Sequence, residues 1–256
     1  MTASSRRLLT IAAGAAVVLL LAVGALLAGR SGPSPQKASG GDAGASSPAS
    51  PGESSAAGEG GRGPSAAEER IGLTRRDADD VTALGDVDAP VVLIEYADYR
   101  CPFCAVFSRD TMPELVSEYV ESGRLRVEWR DLPLFGEESE KAAVAARAAG
   151  EQGRFWEYHR AVYEAAPERG HLEVTDEKLT AWAEEVGVPD MERFARDLES
   201  PELLEQVRAD AEEARSQVGA TGTPTFVIDD QRMVGAQSAE TFRRVIDQQL
   251  AARREG

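Results

Sequence analysis

The spacing of apolar and polar positions divides the chain into elements. Residues 90–96, PVVLIEY, form a short β-branched run with the character of a buried strand. Helical spacing follows through about Glu121, with Phe107, Leu115, Val116, Tyr119 and Val120 on one side and a kink expected at Pro113. LRVEWRDLP, 125–133, alternates as a second strand does. From about 138 to 218 the pattern is helical again. An Ala-rich stretch, 139–149, is expected to end on Gly150 as its cap. Phe155, Trp156, Val162 and Tyr163 mark the next helix, and Thr175 caps one that carries Leu179, Trp182 and Val186 and closes at Gly187. Ser200-Pro201 opens another, whose Leu204, Val207, Ala211, Ala214 and Val218 form one apolar stripe. PTFVID (224–229) and QRMVG (231–235) read as a hairpin around Asp229-Asp230. Ser238 caps a last helix with Phe242, Val245, Ile246 and Leu250 inward.

The order is β-α-β, a helical block, then β-β-α. A strand-helix-strand unit implies a crossover and a parallel pair, while the closing hairpin is antiparallel. The predicted class is α/β: a small mixed central sheet flanked by helices, with a helical insertion at about 138–218.

Residues 8–29 are uncharged and apolar, roughly 33 Å of helix, which is enough to cross a bilayer. Arg6 and Arg7 precede them and place the N-terminus in the cytoplasm by the positive-inside rule. The reading is a single-pass signal-anchor at 1–29 in the cell membrane with an extracytoplasmic domain beyond it. The rival is a cleaved export signal, which would leave the protein secreted. SRRLL (5–9) resembles a twin-arginine signal, but only Leu26-Leu27-Ala28 offers a cleavage site, and a poor one. Residues 30–69 are a linker, and 30–66 contain no aromatic residue and no Leu, Ile or Val, too little apolar surface to offset ordering entropy. The folded domain spans 70–256.

Net charge is −16 with basic residues scattered among acidic ones, which excludes nucleic acid as a partner. The chain is read as a monomer. Only two cysteines exist, Cys101 and Cys104 in CPFC. A zinc site needs four ligands, there is no second cysteine pair, and His159 and His171 are not spaced as ligands; both read as structural. A passive clasp between residues three apart would close too small a loop to stabilise much. Redox chemistry accounts for more. The pair lies where a strand ends and a helix begins, and the helix N-terminus favours a thiolate at Cys101, with Cys104 one turn in as the resolving thiol. An extracytoplasmic location suits it.

Strand, CPFC, helix, inserted helical block and then GTPTF (222–226) resemble the DsbA-like thioredoxin-fold disulfide oxidoreductases, over roughly residues 85–250. The resemblance implies a cis-proline at Pro224 beside the disulfide and a substrate-facing residue at Thr223. It also implies a buried acidic residue at Glu95, six positions before Cys101, that exchanges protons with Cys104. Pro102, Phe103 and Thr223 are the candidate substrate contacts, and Cys101, Cys104, Pro224 and Glu95 the catalytic set. For Glu95 the alternative is a solvated residue on the strand, and Trp129 and Trp156 are assigned to core packing near the site. The implied activity is introduction of disulfides into exported proteins, with a membrane redox partner recycling the pair and neither metal nor organic cofactor. The dipeptide Pro102-Phe103 lacks the histidine of the strongest oxidants of that family, which leaves a reductase or isomerase of exported proteins as an alternative. A stalked binding module with a structural disulfide is the third reading.

Overall fold

The computed structural model describes residues 72–255. The apolar segment 8–29 and the linker 30–69 lie outside them, and among the described residues no helix is long and apolar enough to cross a membrane. The elements in chain order are β1 (Ala83–Leu84), β2 (Val91–Ala97), α1 (Pro102–Val106), α2 (Met112–Leu115), β3 (Leu125–Asp131), α3 (Glu137–Gly150), α4 (Phe155–Glu164), α5 (Asp176–Glu185), α6 (Met191–Asp197), α7 (Pro201–Ser216), β4 (Thr225–Ile228), β5 (Gln231–Val234) and α8 (Ala239–Glu255). The sheet runs β1-β3-β2-β4-β5. The β2/β3 pair is parallel and the β2/β4 and β4/β5 pairs antiparallel, as the order of elements requires. The two-residue edge strand β1, antiparallel to β3, had no signal in the pattern.

Alternation along β2 sorts its side chains onto two buried faces. Leu93, with Val127 and Phe226, packs under Phe107 and Leu115 of the first helical stretch and Phe242 and Ile246 of α8. Val92, Ile94 and Tyr96 face the other way, against Ala211, Ala214 and Val218 on and after α7. The α7 stripe is as read except at its start, where Leu203 is the buried leucine and Leu204 is half-buried.

The stretch from Pro102 to Val120 takes Pro113 by widening rather than by a break. Its turns at Phe107–Thr111 and Val116–Val120 are π-helical, and the Met112 N–H reaches back five residues to the Phe107 carbonyl. A wide turn directly before a residue with no N–H relieves the clash that a regular α-helix would suffer there. Gly150 is not the cap of α3. It is helical and buried, and a Cβ on it would stand 3.1 Å from Val81 Cγ2 and 3.2 Å from Phe155 Cβ. The left-handed turn falls to Gly153 (φ 72°). Gly150 is there for close approach of the next helix.

β3 shows why alternation alone misjudges a strand. Arg126, Glu128 and Arg130 form its second face, and all are buried. Glu128 accepts from Arg126 Nε at 3.1 Å, Arg130 at 2.8 Å and the backbone N–H groups of Arg75 and Arg76 at 3.0 and 2.9 Å. Burial opposes its ionisation, but these donors outweigh it and hold the carboxyl below its usual range. Next to it Asp210 of α7 bridges Arg75 and Arg147, and Arg147 also bonds Asp131 at 2.6 Å. This network ties the segment before β1, the sheet, α3 and α7 together.

Asp210→Ala takes one carboxylate from the buried Arg147, which keeps Asp131, and from the partly exposed Arg75, and should cost about 3 kcal/mol in urea unfolding. Arg208→Ala, which removes only the exposed pair with Glu140, should cost less than about 1 kcal/mol. Similar small losses for both would mean that the buried network does not hold the layers together.

Candidate active site

The end of β2 aims the cysteines. After Ala97 the chain turns through Asp98–Arg100, and Cys101 becomes the N-cap of α1 in an extended conformation, with Pro102 at the first helical position. Asp98 holds this turn. Its carboxylate accepts from the N–H groups of Arg100 (2.8 Å), Leu134 (2.6 Å) and Phe135 (3.3 Å), and its carbonyl accepts from Cys101 N–H at 3.0 Å and Tyr163 OH at 3.1 Å. Arg100 locks the same turn to the insertion. It donates to the carbonyls of Leu172 (2.8 Å) and Phe135 (2.6 Å) and pairs with Glu138. His171, its ring tilted against Phe135, donates from Nδ1 to the Arg100 carbonyl at 3.1 Å. Neither Asp98 nor Arg100 was singled out from the sequence, although an Asp two residues before a backbone turn is the signature of an Asx-turn.

The cis Thr223–Pro224 bond brings the Thr223 carbonyl to 3.3 Å from Cys101 Sγ. The two thiols are free and both buried, Cys101 at 2% exposure and Cys104 at 0%. Their electrostatics differ sharply. Hydrogen bonds from the Cys104 thiol, the Thr223 side chain and the N-terminal amides of α1 outweigh burial and bring Cys101 down to about 6. Burial, and then the hydrogen bond to Cys101 and its charge, pushes Cys104 well above the ordinary thiol range. At neutral pH the pair is a thiolate above a thiol.

Glu95 lies beneath them. The register sets it between Trp129 and Phe226 in the row of side chains under α1. It is fully buried, not solvated, and neither carboxyl oxygen has a hydrogen-bond partner among the described residues. Burial first, and then the Cys101 charge, raises its pKa well above that of a free carboxyl, which favours its protonated form. Trp129 is both core and site wall: its indole donates to Asp131 at 2.8 Å and packs on Tyr99 at 5.0 Å. Trp156 is half-buried and donates to the Ala83 carbonyl. His159 is buried in the aromatic cluster with Tyr99 and Tyr163. Pro102 is half-buried and Phe103 is 63% exposed.

A nucleophilic thiol at a helix N-terminus, a buried resolving thiol and a proton-carrying carboxyl can exchange one disulfide for another. Comparison with known proteins agrees. The thioredoxin family profile matches residues 77–248. The chain belongs to the thioredoxin family. A probable disulfide bond formation protein D of Bacillus anthracis is 28% identical over 171 residues, covering 66% of this chain and 77% of that protein. BdbD of Bacillus subtilis, in its oxidised crystal form, superposes with a TM-score of 0.62 at 24% identity over 66% of this chain and 92% of that one. A thioredoxin-like oxidoreductase from Silicibacter pomeroyi DSS-3 gives 0.57 at 28% identity over 70% and 95%. Within the family the chain is DsbA-like, and it is a protein thiol–disulfide oxidoreductase.

Iodoacetamide alkylation of the reduced protein should show the asymmetry. Labelling of Cys101 should rise with a midpoint near pH 6 and fall about tenfold per pH unit below it, while Cys104 stays unlabelled until the protein unfolds. A midpoint near a free thiol's pKa of about 8.5 would remove the thiolate from the site.

Proposed function

We propose that Cys101–Cys104 is the redox-active pair and that the enzyme introduces disulfides into exported proteins. The observation that carries this reading is the unequal pair: a low-pKa Cys101 beneath the Thr223 carbonyl and a high-pKa Cys104 above a proton-bearing Glu95. A substrate thiolate attacks Cys101 Sγ of the disulfide, forming a mixed disulfide and releasing Cys104, which takes a proton from Glu95. A second substrate thiolate attacks the substrate's own sulfur in the mixed disulfide. That forms the product disulfide and releases Cys101 as the stabilised thiolate. The low pKa of that leaving group drives the second step. Glu95 regains a proton from water, and a membrane redox partner then withdraws two electrons and one proton to restore the disulfide.

The surface supports a polypeptide substrate that is not yet folded. Among the described residues the exposed large apolar side chains are Val81, Phe103, Val106, Leu134 and Val234. Phe103 and Val106 share a face of α1, Leu134 is fastened to Asp98, and Val234 precedes Gly235, whose N–H bonds the Pro224 carbonyl at 2.8 Å. Four of the five thus border CPFC and Pro224, where they offer apolar contact to an extended chain. We take 8–29 as the anchor and 30–69 as the tether that holds the domain at the outer membrane face.

The equilibrium reduction potential in glutathione buffers tests direction. A value toward about −120 mV supports the oxidase; one near about −270 mV makes the enzyme a reductase. Cys104→Ser should accumulate mixed disulfides with client proteins in cells and lose roughly 100-fold or more of RNase-refolding activity. Cys101→Ser should form none. Retained refolding activity in Cys101→Ser would reject the assignment of the pair.

A further inference from the structure

Cys104 and Glu95 have no exposed surface, and Cys101, the group in front of them, is covered whenever a substrate is bonded to it. Yet each turnover moves a proton between Cys104 and water. The geometry points to an exit on the side of the domain away from the substrate. We propose that Tyr99, His159 and Ser108 conduct the Cys104 proton from Glu95 to solvent through the cavity beside α2 and α4. The inference rests on Glu95 as the proton partner of Cys104.

Four observations carry it. Ser108 follows Cys104 by four residues, in the wide turn Phe107–Thr111 that continues α1. The Ser108 hydroxyl is 3.4 Å from His159 Nε2, and the Tyr99 hydroxyl is 3.3 Å from His159 Nδ1. Ser108 and His159 line a half-open cavity of about 560 Å³ together with Leu84, Met112, Trp156 and Arg160. At the inner end, Tyr99 and His159 lie against the Trp129 indole at 5.0 and 4.8 Å, and Trp129 is the cross-strand neighbour of Glu95.

The chemistry suits a relay. Burial, and then the nearby Arg160 charge, lowers His159 to about 3, so at neutral pH the ring keeps one N–H and one lone pair. Tyr99, Tyr163 and Ser108 are the other proton-bearing groups around it, with Glu157 and Arg160 at the cavity. Mixed-disulfide formation removes the Cys101 charge, which is the second cause of the raised Glu95 pKa. Glu95 then releases its proton to a water beside the Tyr99 hydroxyl. Tyr99 passes a proton to His159 Nδ1, and the Nε2 proton leaves by Ser108 to bulk water. The Glu95 carboxylate accepts the S–H proton of Cys104 as its sulfur bonds to Cys101 Sγ and the other thiolate departs. One proton reaches solvent and no charge stays buried.

The test reacts the reduced full chain with oxidised glutathione and follows two steps by acid quench and mass spectrometry. The first is glutathionylation of Cys101, and the second is its resolution by Cys104. His159→Phe keeps the aromatic packing, and Ser108→Ala removes only the outer hydroxyl. Both should leave the first step unchanged and slow the second about tenfold, so that the glutathione adduct accumulates and the solvent deuterium isotope effect on resolution changes. Glu95→Gln should accumulate the same adduct, and adding His159→Phe to it should slow resolution no further. Accumulation in Glu95→Gln but not in both relay variants would overturn the route and leave Glu95 in place. No accumulation in Glu95→Gln would remove Glu95, and the route with it. Equal slowing of both steps, or additive losses in the double variant, would assign His159 a structural role and overturn the proposal.

Discussion

The site depends on keeping one negative charge beside two groups that must not carry one. Cys101 is ionised because donors converge on its sulfur from the Cys104 thiol, the Thr223 side chain and the start of α1. The same charge, in a space closed to water, helps to keep Cys104 and Glu95 protonated. Moving any one of the three groups into solvent would flatten the difference in acidity on which the exchange runs. The fold is therefore organised around exclusion of water at the C-terminal end of β2.

That exclusion is assembled from three distant parts of the chain. Thr223-Pro224 closes the site from the start of β4, and the first helical stretch roofs it. Asp98 and Arg100 pull in the loop after β3 and the 171–172 segment of the insertion. The insertion thus acts on the chemistry indirectly, by holding the turn that presents Cys101. Phe103 and Val106 of α1, Leu134 and Val234 remain exposed apolar side chains outside this closed centre.

The opposite face of the sheet is joined by charge. A buried carboxylate that accepts from two backbone amides and two guanidinium groups tolerates few other arrangements, so Glu128 and Asp210 specify how α3 and α7 dock as well as stabilise the docking. Apolar replacements of equal volume could match the stability, but they would not fix the register of the helices in the same way. The cross-strand row puts Trp129 and Glu95 on the redox side and Arg130 and Tyr96 on the ionic side, and Asp131, which accepts from the Trp129 indole and from Arg147, joins the two.

Much of the protein was determined locally by its sequence. β2, the helix stripes, the caps at Thr175, Ser200 and Ser238 and the hairpin at Asp229 follow from spacing and capping chemistry between near neighbours. CPFC with the later Thr-Pro announced the family and its two sulfur atoms, because that chemistry is written into adjacent residues. What only the tertiary structure decided is which polar groups lie inside. The alternation of β3 is the same whether Arg126, Glu128 and Arg130 meet water or α7, and Glu95 is a solvated strand residue or a buried acid depending on what covers it. Gly150 turned out to be a contact rather than a cap, since Val81 and Phe155 approach it from outside its own helix. Asp98 and Arg100 gained their roles from Leu134, Phe135 and Leu172, more than thirty residues away. Periodicity reports which face is apolar; burial, and with it every shifted pKa in the site, is a property of the neighbours that folding supplies.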